Sequence, residues 1–530
     1  MGKNTILKTT MMGLTPYEGE WTYAQAAHLL RRTTFGPKKE EILAAVDQGM
    51  QATVQALLDL QPAPPPVNFN YENDTNVPIG ETWVTSPYSP GRPEQQYRNQ
   101  SLRAWHIKRM VEDTTIQEKM TLFWHNHFGV NANGDPLDRY AFINLLRTYA
   151  LGDFRALLKE VTISPMMLRF LNGNQNSANS PNENYGRELL ELFSIGKGPQ
   201  IGEGDYSNYT EQDVREMARA LTGWRTRNFY PLEQGVLPNS YFQANRHDET
   251  NKQLSYHFDD RIIENAGEEE YRVVVDIILE KYEVARYICR EFYRWFVYYD
   301  ITDQEELEVI EPLAQLFFDS NYDVRVVIEN LLSSQHFFDT LNRGPFIKNP
   351  ADYVVSMIRP IGFAGLEPTL EQEYIYYQRL YGRINGMGLN YQAPPSVSGW
   401  EAYYQAPVFY RSWINSSTLQ DRARSANQIG NNGFNIGGTR FRFDYVAWIA
   451  GLDNPTDPNA LVEEIARIFL PQPLEQVQLD ALKDILIPGL PDFEWTDEYG
   501  LYLSNPDDEM LYNAVRNKLR DLFVALFNMA

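Results

Sequence analysis

Residues 116–128 decide the fold class, and they read IQEKMTLFWHNHF. At about 100° per residue, one side of a helix over this stretch collects five apolar side chains: Ile116, Met120, Phe123, Trp124 and Phe128. A stripe with this period is typical of an amphipathic α-helix that packs against a core. The stretch therefore predicts a helix, and the glycine at position 129 allows that helix to end there.

The same periodicity recurs along the chain. Helical patterns cover residues 94–128, 138–170, 183–193 and 211–224, and then much of residues 268–362. No run of alternating apolar and polar residues predicts a large sheet, although the long loops have room for short hairpins. The sequence therefore predicts an all-α fold, in which a multi-helix globular core carries long ordered loops and a small C-terminal helical appendage.

Breaks in this pattern predict three regions. Residues 1–93 comprise N-terminal helices and an irregular passage that opens with the proline-rich sequence QPAPPP at residues 61–66. Proline cannot continue a helix, so the passage separates the first helices from the rest. Residues 94–452 form the main helical domain with the polar motifs, and residues 453–530 form the C-terminal appendage.

The overall charge limits the choice of partners. The chain has 47 Lys and Arg residues against 70 Asp and Glu residues, which gives a formal net charge of −23. Such a field repels nucleic-acid phosphates, so no nucleic-acid partner is expected. No apolar run approaches the roughly 18 residues that span a bilayer, so no membrane insertion is expected. A neutral or cationic substrate is compatible with this charge, and the 13% of aromatic residues suit packed interfaces or the stacking of carbohydrate rings.

Several common classes of site are excluded by missing residues or motifs. The single cysteine, Cys289, rules out an internal disulfide framework and a cysteine-rich zinc site, and its helical surroundings predict a buried, inert thiol. No P-loop or dinucleotide glycine fingerprint occurs, so no nucleotide cofactor is expected. Residues 1–5 begin no apolar signal-peptide core, so we expect a protein that is cytoplasmic or exported with a partner. The oligomeric state is left open.

Two histidines give the helix of residues 116–128 its first candidate chemistry. His127 falls in the middle of the apolar side, while His125 lies toward the edge near Glu118. One interpretation is that they are core histidines bonded to backbone carbonyls, since buried ring nitrogens need partners. The other is that they are metal ligands or proton-transfer groups. Because they are two residues apart, joint ligation requires the helix to end at Gly129.

A second candidate lies on the helix that begins near Asn182. Glu188 and Glu191 are three residues apart on one flank, and Arg187 is four residues before Glu191. Carboxylates at this spacing can share a metal ion or divide the acid and base roles of a reaction. They can equally form a solvated flank with salt bridges to Arg187. We name Glu188, Glu191 and Arg187 as candidate catalytic residues.

The third candidate group lies on the long irregular segment of residues 225–260 and on the helix before it. His247 and Asp248 are adjacent on the loop and form a plausible ligand pair that could close over a cleft. Arg219, on the preceding helix, could clamp an anionic group or simply pair with a nearby glutamate. These residues complete the candidate set, with Arg219 as catalytic and His247 and Asp248 as metal ligands.

The order of the long motifs along the chain and their amino-acid sequences resemble those of one bacterial family. The motifs are AAHLLRRTTFG at 26–36, MTLFWHNHF at 120–128, NENYGRELLELF at 182–193, VREMARALTGW at 214–224, RHD at 246–248 and SGW at 398–400. Together they resemble a family catalogued as domain of unknown function 1800, from about residue 21 to the C-terminus. The resemblance implies a bacterial source and a partner from a neighbouring family that resembles sulfatases and phosphatases, with export of many members. It supplies no established activity.

Two hypotheses of different classes follow. In the first, the protein is a metal-dependent, hydrolase-like enzyme with a divalent ion, and His127 and Glu188 face one polar cleft beneath His247. The metal would be zinc, manganese or iron, since these ligands do not choose among them. In the second, the polar motifs are buried networks, and the protein is a non-catalytic binding or export partner of a sulfatase- or phosphatase-like protein. Enrichment in tyrosine and tryptophan fits such an interface.

Overall fold

The structure is a computed structural model that describes residues 13–131, 134–362 and 366–529. Residues 1–5, whose sequence bears on export, lie outside the described residues. The helices and strands below are numbered in chain order. Comparison of their bounds with the periodic segments of the sequence shows which helices the sequence predicts.

The described chain is built mainly from α-helices, which confirms the all-α prediction. The first region contains α1 (Tyr23–Thr33), α2 (Lys39–Gln48) and α3 (Met50–Leu58). The central region contains α4 (Gln95–Glu112), α5 (Gln117–Phe128), α6 (Pro136–Thr148), α7 (Phe154–Ile163), α8 (Pro165–Phe170), α9 (Glu183–Glu191), α10 (Glu211–Ala220), α11 (Glu270–Leu279), α12 (Tyr282–Phe296), α13 (Asp303–Glu305), α14 (Glu311–Asp319), α15 (Val324–Leu332), α16 (Pro350–Ile358), α17 (Leu370–Gly386), α18 (Glu401–Tyr404), α19 (Ser416–Asn427) and α20 (Tyr445–Ile449). The last region contains α21 (Pro458–Phe469), α22 (Gln476–Leu486), α23 (Phe493–Ser504) and α24 (Glu509–Met529). No helix in the described ranges is long and apolar enough to cross a bilayer.

The strands of the described residues form four small antiparallel hairpins within the long loops. They pair β1 (Gln200–Gly202) with β2 (Asp205–Tyr206), β3 (Trp224–Arg227) with β4 (Asn239–Phe242), β5 (Lys252–Gln253) with β6 (Ile262–Ile263), and β7 (Phe434–Ile436) with β8 (Thr439–Phe441). In the longest of them, Trp224 lies opposite Phe242 and Arg227 lies opposite Asn239. The long irregular segments are therefore ordered, and they do contain short hairpins.

Two long helices, α17 and α19, fall outside the segments with predicted periodicity. The buried face of α17 consists mainly of tyrosines, among them Tyr374, Tyr377 and Tyr381, with Leu380 and Ile384 as its aliphatic members. Tyrosine is found at the surface as often as inside, so a stripe of tyrosines is a weak signal for a core-facing helix. The irregular passage predicted from residue 383 is therefore wrong in its first residues, because α17 continues to Gly386.

A single large apolar core runs through the described regions. It includes Ala26 of α1, Trp124 of α5 and Phe527 of α24, all of which are fully buried. The helix α5 is buried along its whole length, so its polar side chains must find partners inside the protein. The last region shares this core, and the hydroxyl of Tyr353 donates to the carbonyl of Phe527 at 3.1 Å. The region boundaries at residues 93 and 452 stay predictions.

Cys289 is fully buried in α12, as its helical surroundings predict. Burial raises the pKa of its thiol well above the ordinary value. A thiol that stays protonated is a poor nucleophile and a poor metal ligand. The sequence-based expectation of an inert thiol therefore agrees with its surroundings.

A buried arginine joins α16 to the first two regions. The Arg359 side chain is 1% exposed, and its guanidinium forms two hydrogen bonds of 2.6 and 2.9 Å with the carboxylate of Glu41. The same guanidinium donates to the carbonyls of Gly36, Val111 and Asp113 at 2.7 to 3.0 Å. One side chain thus fixes the turn after α1, the start of α2 and the end of α4 against one another.

Replacement of Arg359 with methionine should strongly destabilise the protein. The carboxylate of Glu41 and three backbone carbonyls would lose their donor, and breaking a buried pair costs about 3–5 kcal/mol. The measurement is the melting temperature, with unfolding in urea as a second readout. The matched control is Arg424→Met, which removes an exposed arginine paired with Asp421 at 3.2 Å and should cost less than about 1 kcal/mol. Equal losses in the two variants would contradict the role of Arg359.

Candidate functional site

The two histidines of α5 are bonded to backbone carbonyls. Nε2 of His127 lies 3.1 Å from the carbonyl oxygen of Phe193, and Nε2 of His125 bonds to the carbonyl of Tyr391. Burial lowers the pKa of each ring to about 4. Both imidazoles are therefore neutral at pH 7 and donate from Nε2. This arrangement matches the first of the two interpretations, in which a core histidine satisfies its nitrogen on the backbone.

The candidate residues of α9 have separate partners. Arg187 forms a two-pronged pair with Glu211 of α10 at 2.7 and 2.6 Å, rather than with Glu191 in its own helix. Glu191 accepts a hydrogen bond of 2.9 Å from the Tyr209 hydroxyl. The half-buried Glu188 forms no side-chain hydrogen bond or ion pair within the described residues, and burial followed by the charge of Glu191 raises its pKa. The two carboxylates thus do not converge on one group.

The loop residues are divided in the same way. Asp248 pairs with Arg219 at 2.8 Å, which brings together two of the candidates. His247 is buried and turns away from them, because its Nε2 lies 2.9 Å from a carboxylate oxygen of Glu270. Glu270 is fully buried and also pairs with Lys252. The hairpin region after α10 is therefore fixed to α11 by a buried network of charges.

The structure does not join the eight candidates into one cleft. No hydrogen bond or ion pair links His127, Glu188 and His247 to one another in the described parts of the chain. His127 contacts the segment that follows α9, through its hydrogen bond to the carbonyl of Phe193 and through the Phe193 ring, whose centre lies 6.4 Å from the imidazole. Among the residues that the structure describes, no group of three or more His, Cys, Asp or Glu side chains is placed to hold a metal ion.

A different group of residues lines a pocket of about 110 Å³ between α1, α5, α12, α16 and α21. Four of the described side chains that line it are cationic, and one is a carboxylate: Arg31, Arg32, Lys119, Lys348 and Asp352. His28 also lines the pocket, and burial together with the charge of Arg32 lowers its pKa to about 3. The pocket is thus strongly positive inside an acidic protein.

The two arginines of α1 are held by carbonyls and not by carboxylates. Arg31 donates to the carbonyls of Arg467 and Ile468 at 2.7 and 3.0 Å, where α21 ends. Arg32 donates from Nε to the carbonyl of Phe296 at 2.8 Å, at the end of α12. No ion pair joins either arginine to an acidic residue in the described chain. Burial lowers the pKa of both guanidinium groups to about 10, so both remain charged at neutral pH.

The two lysines of the pocket differ in their partners. Lys119 forms an ion pair with Asp352, which also accepts from the amide of Asn349 at 2.7 Å. Lys348 has no acidic partner among the described residues, and its ammonium donates to the hydroxyl of Ser356 at 3.1 Å. Burial and then the charge of Arg31 lower the pKa of Lys348 to about 8. Among the described residues, the pocket therefore contains three cations without an ion pair, and its single carboxylate, Asp352, lies nearby but is paired with Lys119.

Aromatic rings form the walls of the pocket. The guanidinium of Arg32 lies over the ring of Phe346, 4.2 Å from its centre. Trp295 and Tyr403 stack with ring centres 4.3 Å apart, and Trp413 meets Tyr403 edge-on at 6.0 Å. These flat faces beside fixed cations make a site with shape as well as charge.

Sequence reasoning missed this pocket. Its signal was the pair Arg31-Arg32 inside the first quoted motif, followed by Gly36. The pair was not singled out, because a basic pair at the end of a helix is ordinarily solvated or interacts with the helix dipole. The partners that turn it into a pocket come from residues 295, 346–356 and 468, which are remote in the sequence.

The position of Lys348 predicts a rise of stability with pH. An unfolded lysine titrates near about 10.4, whereas Lys348 in the folded protein titrates at about 8. Between these values the unfolded chain binds more protons, so the free energy of unfolding increases as the pH rises. Between pH 8 and about 9.5, the contribution of Lys348 to the free energy of unfolding should reach at most about 2 kcal/mol.

The measurement is urea unfolding across this pH window for the wild type and for Lys348→Met. The free energy of unfolding of the wild type should rise by this amount relative to that of the variant. The opposite contributions of Cys289 and of the buried tyrosines, whose pKa values burial raises, are the same in both proteins and cancel in the difference. Identical pH profiles would show that Lys348 does not titrate in this range.

Comparison with known proteins gives one result. Neither the curated proteins nor the solved structures contain a match to the chain. A family model described as "Protein of unknown function (DUF1800)" matches residues 28–506. The match includes the pocket arginines, the α5 histidines and most of the C-terminal helices. The chain therefore belongs to the DUF1800 family of proteins of unknown function.

Proposed function

We propose that this protein binds an anionic ligand that contains a ring, such as a sulfate or phosphate ester of a sugar, in the pocket between α1 and α16. One observation supports the proposal most directly. Arg31, Arg32 and Lys348 face a common pocket and form no ion pair within the described chain, while the one carboxylate of the pocket, Asp352, is paired with Lys119. An anion would supply the missing negative charge.

The energetics favour an anion in this place. A buried charge without a counter-charge is costly, and carbonyl partners offset only part of that cost. Arginine offers a planar fork of donors that matches sulfate, phosphate and carboxylate oxygens. The donors are fixed before the ligand arrives, because Arg31 and Arg32 are already held by the ends of α21 and α12. Binding then requires little further ordering of side chains.

The aromatic walls favour a ligand with a flat or ring-shaped face. Trp295, Tyr403 and Phe346 line the pocket beside the cations. One face of each ring is already taken, by the stacking of Trp295 on Tyr403 and by Arg32 over Phe346, which leaves the other faces and the edges for a ligand. A sugar ring stacks its apolar face on such surfaces while its charged substituent reaches the arginines. Free inorganic phosphate or sulfate would use the cations alone, so it should bind more weakly than the sugar ester.

This proposal differs from the expectation based on net charge, which favoured a neutral or cationic substrate. The charge of −23 belongs to the whole chain, whereas the pocket has a local excess of cations. A sulfated or phosphorylated ligand also suits the sulfatase- or phosphatase-like partner that the family resemblance implies. The non-catalytic alternative is compatible with this ligand as well, since binding requires no reaction.

The test is a titration of the protein with galactose 6-sulfate, in which binding is measured by calorimetry and by the fluorescence of the pocket tryptophans. Galactose serves as the neutral control. The sulfate ester should bind measurably more tightly, and Arg32→Met should weaken its binding by about 10- to 100-fold, since hydrogen bonds to charged groups contribute about 1.5–3 kcal/mol. Affinity should also fall as the pH rises above 8, where Lys348 loses its charge.

The control variant is Arg215→Met, because Arg215 is exposed and lies outside the pocket. It should leave the affinity unchanged. Arg32 also holds backbone carbonyls, so Lys348→Met provides a second variant, and melting temperatures show whether each variant is folded. Equal affinity for galactose and its sulfate, or full affinity in both pocket variants, would reject the proposal.

A further inference from the structure

The pocket contains a hydroxyl next to an amine. Ser356 lies in the last part of α16 and lines the pocket, and its Oγ is 3.1 Å from Nζ of Lys348. The only other hydrogen bond of this hydroxyl within the described chain is a long one of 3.4 Å, which it donates to the backbone carbonyl of Tyr353. A nucleophile and a base within hydrogen-bond distance are the diagnostic arrangement of covalent catalysis. Serine–lysine pairs are a recurring form of it.

We propose that Ser356 is a nucleophile, that Lys348 is its general base, and that the protein hydrolyses a carboxylic ester carried by the anionic ligand of this pocket. The inference rests on the proposed function, because the anion is what places the ester beside Ser356.

Water is the only reactant that the hydrolysis requires besides the ester. Neutral Lys348 accepts the hydroxyl proton as Oγ of Ser356 forms a bond to the acyl carbon. The tetrahedral intermediate collapses, its bond to the alcohol oxygen breaks, and the ammonium of Lys348 returns the proton to that oxygen. Water then attacks the acyl-serine, again with Lys348 as base, and releases the carboxylic acid and free Ser356.

The surroundings of Lys348 suit a base. Arg31 of α1, Lys119 of α5 and Arg422 of α19 bring positive charge toward it, and Asp352 of α16 is the acidic group that faces it. Asp352 is already shared by Lys119 and Asn349. The pKa of Lys348 is lowered to about 8, so a useful fraction of the side chain is neutral near physiological pH. The position of the amine is fixed through its backbone, because Arg422 donates to the carbonyl of Lys348 at 2.6 Å.

The approach to Ser356 depends on a glycine. Gly36 has φ of +104°, and a Cβ atom at this position would lie 2.7 Å from both Cα and Cβ of Ser356. Only glycine can pass so close to α16 in this backbone conformation. Its carbonyl accepts a hydrogen bond from Arg359 at 2.7 Å, which fixes the turn beside the serine. The cations of the pocket also supply the positive field that a developing oxyanion requires.

The test uses 4-acetoxybenzenesulfonate, an acetyl ester on an anionic ring, with phenyl acetate as the neutral comparison. The full chain should hydrolyse the acetyl ester of this compound with saturation kinetics. As the pH passes 8, kcat should rise because Lys348 becomes a neutral base, and KM should rise as well because the pocket loses one cation. Acid quenching followed by peptide mass spectrometry should locate an acetyl group on Ser356. Ser356→Ala should abolish the adduct, and Ser356→Ala and Lys348→Met should each lower the rate by at least about 100-fold. Ser417→Ala, at an exposed serine of α19, should change nothing.

The outcomes separate this inference from the proposed function. If galactose 6-sulfate binds but the ester is not hydrolysed, or Ser356→Ala retains the wild-type rate, the inference is wrong and the binding function stands. If hydrolysis depends on Ser356 but is equally fast for phenyl acetate, the nucleophile is confirmed and the anionic ligand is rejected. Failure of both binding and hydrolysis rejects both. Melting temperatures at or above that of the wild type confirm that a loss of rate is not a loss of fold.

Discussion

The guanidinium of Arg359 is the interaction on which the arrangement of this pocket depends. It joins the Glu41 carboxylate to carbonyls from the turn after α1 and the end of α4, and it does so from the end of α16. The helix α16 carries Asp352 and Ser356, while α1 carries Arg31 and Arg32. This paired arginine thus fixes the end of α16 against the turn that follows α1, and so sets the position of one wall of the pocket relative to the other. Arg359 is paired with Glu41 and has a structural role. Within the described chain, Arg31 has only carbonyl partners, so its charge is available to a ligand.

The helical architecture could be predicted from the sequence because burial follows the helical period. The stripe from Ile116 to Phe128 does form α5, and the periodic segments around it do form helices. The prediction failed where the buried face is made of a residue type that also occupies surfaces, as with Tyr374 and Tyr381 of α17. The spacing of buried residues predicts a helix when those residues are strongly apolar, such as leucine. The prediction is weaker when tyrosines occupy the same positions, because tyrosine also occurs at surfaces.

The candidate site could not be predicted in the same way, because its residues are joined only by tertiary packing. Arg31 and Arg32 were visible as a pair, but nothing nearby shows that Lys348 and Ser356 lie opposite them. The residues singled out instead, such as His125 and His127, are polar groups on a helix that is buried on all sides. A polar side chain in such a helix resembles a catalytic group in the sequence, yet in the structure both imidazoles bond through Nε2 to backbone carbonyls. Whether any of them also binds a metal stays a hypothesis.

The protein combines a large negative net charge with a pocket that is locally positive, and the two are physically compatible. Charges on the surface are screened within about 8 Å at physiological ionic strength, so the overall charge of −23 does not cancel the field inside a partly enclosed pocket. The net negative charge disfavours anions on average, whereas the described residues of the pocket gather four cations around a single carboxylate. An anion must therefore approach against the long-range field and gain its free energy only at contact with Arg31 and Arg32. Affinity in such a site depends on fit to the fixed donors and the aromatic walls, which favours a ligand of defined shape over any small anion in solution.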